Sequence, residues 1–322
     1  MGEVFLNVVL LFLTSFVVYK AAAFFVQALV NLSKRTRLSK FFLAAFFVGI
    51  ATSLPEIFIA VISTVAGYPV LAIGNALGSN IANLSLIIPL IVLIINKDLR
   101  IDLESFSFRH SLFVLTATVL PFSLILDRSL SLMDAFFLII MFFLYSSYIF
   151  YYKNEKVGIF SFLEKIKDLF VEKHFWKDVF VLVFSVLTLI LGSYVIVKLA
   201  GVLSDQVGLG YLEIGAVLVA VGTSLPEFFV GLSAFRKKEA DIVFGEILGS
   251  LVTNANLVVG LSALRNQVVL VDLTSYTLMT MFLFFIMVLF YIFSLTQKRL
   301  KRSEAAVLLI VYALFVFLIR LV

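Results

Sequence analysis

One five-residue segment occurs twice in this 322-residue chain, and both copies lie inside long apolar stretches. Thr-Ser-Leu-Pro-Glu spans 52–56 and again 223–227, at an offset of 171 residues. Proline interrupts a helix and leaves a backbone carbonyl without its partner, and a glutamate in hydrocarbon is costly to desolvate. Because a bound cation offsets both costs, the repetition predicts that the two copies together build one cation site.

The apolar stretches indicate the class of protein. Hydrophobic residues make up 62% of the chain and charged residues 14%, whereas soluble domains are about half apolar and about a quarter charged. One membrane span needs roughly 20 apolar residues. The sequence therefore predicts an all-α polytopic membrane protein with ten transmembrane helices. We place them at 4–30, 41–66, 70–95, 110–126, 130–152, 178–203, 211–235, 241–264, 273–295 and 304–321.

The repeat extends well beyond the five-residue motif. An ungapped alignment of 51–90 with 222–261 gives 13 identities in 40 positions, many of them Thr, Ser, Pro, Glu, Gly or Asn. Such matches indicate an internal repeat. Each half has five predicted spans, an odd number, so the second half enters the membrane with the opposite orientation. We predict inverted five-helix repeats at 1–152 and 178–322, joined by a linker at 153–177.

The basic residues predict how the chain is oriented. Twenty of the 25 Lys and Arg residues fall in alternate loops, including six lysines in 153–177, and three fall in the loops between them. Because cytoplasmic loops carry the excess of Lys and Arg, we expect this linker in the cytoplasm and both termini outside the plasma membrane. Nucleic-acid binding is disfavoured, since the basic clusters are dispersed and flank membrane spans.

Several chemistries are excluded by what the sequence lacks. It contains no cysteine, which excludes disulfides and thiolate sites. It has no His-Glu-x-x-His motif and no Ser/His dyad in an apolar segment, so no enzymatic activity is predicted. We expect no cofactor, and since the chain carries its own pair of motifs, no oligomer is required.

The residue types in each motif are typical of hard oxygen ligands. Thr52 and Ser53 precede Glu56 by four and three residues, so their hydroxyls share its helix face. Carboxylate, hydroxyl and freed carbonyl oxygens suit Na⁺, Ca²⁺ or Mg²⁺ rather than soft metals. The equivalent residues in the second copy are Thr223, Ser224 and Glu227.

The span after each motif carries a second polar stripe. In the first half it comprises Asn75, Ser79 and Asn83, and in the second half Glu246, Ser250 and Asn254. The Asn83 and Asn254 amide oxygens can complete a cation site. One motif alone could also be a hydrogen-bonded strut. Two carboxylates in inverted copies favour a cation, because two bare anions at the midplane would repel each other.

These residues resemble a known family. The region 49–83, with Gly-Ile-Ala-Thr-Ser-Leu-Pro-Glu and Gly-Asn-Ala-Leu-Gly-Ser-Asn-Ile-Ala-Asn, resembles the first α-repeat of cation/Ca²⁺ antiporters, and 220–254 resembles the second. The likeness is greatest to short prokaryotic Na⁺/Ca²⁺ exchangers. It implies cation sites at the membrane midplane and alternating access by sliding of the first and sixth spans.

By motif position, the resemblance implies a ligand set centred on the carboxylates of Glu56 and Glu227. The other implied ligands are the hydroxyls of Thr52, Ser53, Thr223, Ser224, Ser79 and Ser250, the carbonyls of Gly49 and Ala220, and the amides of Asn83 and Asn254.

Three residues depart from the family pattern. Asn254 stands where archaeal relatives often have Asp, Glu246 where the family usually has Asn, and Leu251 where Asn80 stands in the first half. Glu246 precedes Asn254 by eight residues, about 12 Å along a helix, so we expect it outside the central site. It is predicted either as a vestibule carboxylate that attracts cations or as a structural partner of a nearby amide or Lys.

The predicted function is secondary active antiport of Na⁺ and Ca²⁺ across the membrane by alternating access. The exchange is predicted to be electrogenic, since three Na⁺ would outweigh one Ca²⁺ by one charge. An H⁺/Ca²⁺ exchanger on the same fold is the alternative, because two close carboxylates can also couple to protons. A cation channel is a further alternative, because broken helices and acidic residues also build pores.

Overall fold

The computed structural model describes residues 2–33, 52–100, 108–152, 175–236, 240–270, 273–296 and 299–321. Within these ranges the chain is mostly helical. The helices are α1 (Gly2–Ser33), α2 (Leu54–Ala66), α3 (Pro69–Ala82), α4 (Ile88–Ile95), α5 (Phe108–Leu124), α6 (Leu132–Tyr152), α7 (Phe175–Val207), α8 (Tyr211–Ile214), α9 (Ala220–Thr223), α10 (Leu225–Arg236), α11 (Ala240–Val252), α12 (Val259–Ser262), α13 (Leu273–Thr296) and α14 (Arg302–Ile319). The predicted linker lies outside the described residues up to position 174.

Wide π-helical turns join some of these helices into longer rods. They occur at Asn83–Ile87, between α3 and α4, at Gly215–Val219, between α8 and α9, and at Thr253–Val258, between α11 and α12. The first and third contain the equivalent residues Asn83 and Asn254 of the two repeats. Single π-helical turns inside helices often accompany functional sites.

Long apolar helices make the chain a multi-pass membrane protein. Seven helices within the described ranges have the length and composition to cross a membrane. They are Gly2–Phe25, Pro69–Ile95, Val179–Val207, Tyr211–Arg236, Ile242–Ser262, Leu273–Ser294 and Arg302–Ile319. Three shorter apolar helices, Leu54–Ala66, Leu112–Leu124 and Leu132–Tyr148, coincide with the other predicted spans. The total of ten spans and the inverted repeat stay predictions.

Two short antiparallel strand pairs connect the halves, an addition to the predicted all-α fold. Strand β1 (Leu99–Arg100) pairs with β4 (Arg299–Leu300), and β2 (Ser129–Leu130) pairs with β3 (Val268–Val269). Strands of two residues leave no alternating pattern that sequence reasoning can detect. Paired segments lie on the same side of the molecule, so the loops with β1 and β4 share a side, and the loops with β2 and β3 share a side. The content of Lys and Arg in these loops predicts the same two groups.

The apolar core falls into two clusters. The smaller one joins α1 and α7 to α2 through residues such as Leu11, Leu189 and Ile59. The larger one fills the rest of the described bundle, including Ile81 and Val252 on the helices that carry the polar stripes. The pair α1 and α7 therefore has its own packing interface against the remainder.

Glycines bring the two motif-bearing regions into close contact. A Cβ atom at Gly74 would overlap the Leu212 backbone, and one at Gly78 would overlap the Ala216 backbone. Both glycines lie on α3, which therefore crosses the rod 211–236 at backbone distance. Small residues permit this kind of approach between membrane helices.

Candidate cation-binding site

Each repeated motif forms a helix break with the same backbone geometry. Ser53 has φ −80° and ψ 6°, and Ser224 has φ −80° and ψ 8°. Pro55 and Pro226 then fall in the first turn of α2 and α10, where the missing N–H carries no penalty. The next residue of each motif is a glutamate near a helix N-terminus, the positive end of the helix dipole.

The two motif glutamates are fully buried and each accepts a hydrogen bond from a serine of the following span. The Ser79 hydroxyl donates to Glu56 Oε1 over 3.2 Å, and the Ser250 hydroxyl donates to Glu227 Oε1 over 3.0 Å. Both glutamates are 0% exposed. The equal spacing of 23 residues in each pair reproduces the repeat in three dimensions.

The two motif threonines hydrogen-bond to the opposite half of the chain. Thr223 Oγ1 donates to Asn75 Oδ1 over 3.2 Å, and its hydroxyl lies close to Glu56. Thr52 Oγ1 donates to Glu246 Oε1 over 3.1 Å, and its hydroxyl lies close to Glu227. Each half therefore places a hydroxyl beside a carboxylate of the other half.

Serine and asparagine side chains connect these pairs. Ser53 and Ser250 share a hydrogen bond of 3.0 Å, and Asn83 Nδ2 donates to Ser250 Oγ over 3.3 Å. On the other side, Asn254 Nδ2 donates to Asn80 Oδ1 over 3.2 Å. We call the following residues the polar cluster: Thr52, Ser53, Glu56, Asn75, Ser79, Asn80, Asn83, Thr223, Ser224, Glu227, Glu246, Ser250 and Asn254.

Several buried oxygen atoms of the polar cluster have no hydrogen-bond partner among the described residues. They are Glu56 Oε2, Glu227 Oε2, Glu246 Oε2, Asn83 Oδ1, Asn254 Oδ1 and Ser224 Oγ. Leaving buried oxygens unpaired is costly, and a hard cation uses such atoms as ligands. No three His, Asp or Glu side chains in the described ranges are arranged to hold a metal by themselves. A cation here would therefore also need hydroxyl and amide oxygens.

Of the two predicted carbonyl ligands, Ala220 lies among the described residues and Gly49 does not. The Ala220 carbonyl accepts the Ser224 N–H at 2.9 Å and the Thr223 hydroxyl at 3.2 Å. A cation bound to the Ala220 carbonyl oxygen would compete for it with these two hydrogen-bond donors.

Glu246 is not where the sequence placed it. We expected it outside the central site, about 12 Å along the helix from Asn254, either as a vestibule carboxylate or as a structural partner of a nearby amide or Lys. It is instead 0% exposed and accepts a hydrogen bond from Thr52. The error came from measuring distance along one helix. Thr52 and Ser53, just before α2 in the first half, hydrogen-bond to Glu246 and Ser250 on α11, so Glu246 reaches the polar cluster across the repeat interface.

Asn80 joins the site although the sequence reasoning gave it no role. Its amide nitrogen donates to the Leu251 carbonyl over 3.1 Å, and its oxygen accepts from Asn254. The only signal was the mismatch of Asn80 with Leu251 in the repeat alignment. A difference between repeats can thus mark an asymmetric part of a site.

Comparisons with known proteins show the family to which the chain belongs. The family model for the sodium/calcium exchanger protein matches residues 6–151 and 177–321. The chain therefore belongs to the sodium/calcium exchanger protein family, whose members are cation/Ca²⁺ antiporters. That family is one of transporters.

Individual relatives extend over most of the chain. It is 27% identical to the sodium/calcium exchanger MaX1 of Methanosarcina acetivorans, over 96% of this chain and 97% of that protein. It is 31% identical to the inner membrane protein YrbG of Escherichia coli, over 67% of each. A solved structure of the sodium-calcium exchanger NCX_Mj, soaked with Na⁺ and Sr²⁺, has a TM-score of 0.68 at 22% identity and 97% coverage of both chains. The chain therefore shares the fold of that exchanger.

Proposed function

We propose that this protein exchanges Na⁺ for Ca²⁺ across the plasma membrane by alternating access, with the polar cluster as its transport site. The observation that carries the proposal is the pair of fully buried glutamates, Glu56 and Glu227, each with one unpaired oxygen. Two desolvated anions of this kind need a counter-charge, and one Ca²⁺ supplies it. Ca²⁺ and Na⁺ compete for the same oxygens and so cannot travel together.

The proposed ligands are hydroxyl and amide groups of the polar cluster around the two glutamates. We infer roles for Thr52, Ser53, Ser79, Asn83, Thr223, Ser224, Ser250 and Asn254, with backbone carbonyls from Gly49 and Ala220. Two inverted five-helix repeats in ten spans would present this site alternately to each side. Both termini would lie outside and the 153–177 linker in the cytoplasm. The separate packing interface of α1 and α7 supports their sliding.

The test is Na⁺-gradient-driven ⁴⁵Ca²⁺ uptake into proteoliposomes at fixed pH on both sides. We expect uptake by the wild type, and its loss in Glu56→Gln and Glu227→Gln, because each variant removes one carboxylate that balances Ca²⁺. Glu213→Gln is a matched control, since Glu213 is also buried, at 7% exposure, but lies outside the polar cluster. Wild-type uptake in either site variant would contradict the assignment.

The same vesicles decide among the alternatives. Exit of three Na⁺ for entry of one Ca²⁺ moves one positive charge outward, and 100 mV contributes about 2.3 kcal/mol per charge. A valinomycin-clamped potential, positive inside, should therefore accelerate uptake. Uptake driven by a pH gradient without Na⁺ would favour an H⁺/Ca²⁺ exchanger. Flux that continues with no counter-ion on the far side would favour a channel.

A further inference from the structure

The polar cluster contains a third buried carboxylate, which the two repeated motifs do not supply. Glu246 is 0% exposed, and its Oε2 has no hydrogen-bond partner among the described residues. Its charge interacts with those of Glu227 and Glu56. The site therefore has three acidic side chains in a region of low dielectric.

No basic side chain in the described ranges balances this third carboxylate. Arg299 pairs with Asp98, at 3.4 Å, in the loops beside β1 and β4. Lys20 is exposed and lies over the Phe16 ring at 5.3 Å. A buried carboxylate without a cationic partner carries a large desolvation penalty.

The surroundings of Glu246 supply oxygen ligands. The Thr52 hydroxyl donates to Glu246 Oε1 over 3.1 Å and is also close to Glu227, so this hydroxyl lies between two carboxylates. In the first half, the equivalent of Glu246 is the neutral Asn75, which accepts from Thr223 over 3.2 Å. The second half is thus charged where the first half is neutral.

We propose that Glu246, Thr52 and Glu227 form a subsite for a hard monovalent cation, next to the divalent position at Glu56 and Glu227. The charge balance follows directly. One Ca²⁺ neutralises the two motif carboxylates, whereas three Na⁺ neutralise three carboxylates, so Glu246 supplies the counter-charge of the third Na⁺. This inference rests on the proposed function, because it assumes that the polar cluster is the transport site.

Equilibrium binding of ²²Na⁺ and of ⁴⁵Ca²⁺ to the purified full-length protein tests the subsite. Glu246→Gln keeps the side-chain length and an acceptor for Thr52 but removes the charge. We expect this variant to bind one Na⁺ ion fewer per protein at saturation than the wild type, while one Ca²⁺ per protein still binds. The matched control is again Glu213→Gln, which should bind both ions as the wild type does.

Each other outcome counts against the subsite. Unchanged Na⁺ binding in Glu246→Gln would show that the wild-type carboxylate acts in a neutral form, for instance with a bound proton. Loss of the bound Ca²⁺ together with the Na⁺ would indicate a general structural role. Should the Gln variant fail to fold, Glu246→Asn, which copies Asn75 of the first half, is measured with the same expectation.

These results also separate this inference from the proposed function. A wild-type protein that binds neither ion and catalyses no exchange would overturn both. A wild-type protein that exchanges Na⁺ for Ca²⁺, combined with unaltered Na⁺ binding in the Glu246 variant, would overturn the subsite alone.

Discussion

At the scale of single residues, the equivalent serines of the two repeats have different surroundings. The Ser250 hydroxyl contacts Glu227 at 3.0 Å, Ser53 at 3.0 Å and Asn83 Nδ2 at 3.3 Å. The Ser79 hydroxyl contacts Glu56 at 3.2 Å and Thr223 at a longer 3.5 Å. Ser250 therefore has more hydrogen-bond partners than Ser79.

This difference predicts unequal effects of removing the two hydroxyls. Ser250→Ala leaves three polar groups without a partner, one of them charged, and a hydrogen bond to a charged group contributes about 1.5–3 kcal/mol. We expect Ser250→Ala to raise the Km for Ca²⁺ uptake about tenfold or more, and Ser79→Ala to raise it less. The control is Ser262→Ala, because that buried hydroxyl donates to the Val259 carbonyl outside the polar cluster. A larger effect at Ser79 would contradict the argument.

The sequence singled out most residues of the polar cluster for a physical reason, but not the contacts that they make. Thr52, Ser79 and Ser250 occur at fixed spacings on helix faces. Because each repeat also contains a helix break, the polar side chains of the two halves are expected to meet in one site. Glu246 was placed wrongly because its neighbours come from the other half of the chain. Contacts across an interface depend on how helices cross, and spacing along one helix carries no information on that.

At the scale of helices, the close crossing of α3 with the rod 211–236 positions the polar stripe. Gly78 has the Ala216 backbone where a Cβ would lie, whereas Gly231 on α10 faces the Cδ1 end of Ile91 at 2.8 Å. A backbone cannot move aside as a side-chain terminus can. The two glycines are therefore a matched pair for testing the role of the crossing.

We expect Gly78→Ala to separate the two elements and to lower both the melting temperature in detergent and the rate of Ca²⁺ uptake. Gly231→Ala should change the melting temperature by a few degrees at most, because the Ile91 side chain can adjust and Ala favours the helix. Thermal unfolding followed by size-exclusion chromatography measures the difference. Equal melting temperatures for the two variants would show that the crossing is not a tight constraint.

At the scale of the whole molecule, the strand pairs are related by the offset of the repeat. β1 and β3 follow equivalent spans of the two halves, and so do β2 and β4, yet the observed pairs are β1 with β4 and β2 with β3. Exchanging the halves converts one pair into the other, which is the pattern of a two-fold relation. Hydropathy predicted the apolar segments, but the pairing depends on loop positions that only the folded halves determine.

The odd number of predicted spans in each half gives a direct test of orientation. The chain has no cysteine, so each single-cysteine variant can be labelled without a background. Glu3, Lys97, Asn266 and Ser303 are exposed positions in the described structure. From the basic loops, we expect a membrane-impermeant maleimide to label Glu3→Cys and Asn266→Cys in intact cells, and Lys97→Cys and Ser303→Cys only after the membrane is opened.

Lys97 and Ser303 should behave alike because the β1–β4 pair holds their loops together. Labelling of Lys97→Cys and Asn266→Cys, which follow equivalent spans, from the same side would contradict an inverted repeat, since an odd span count requires them to face opposite sides.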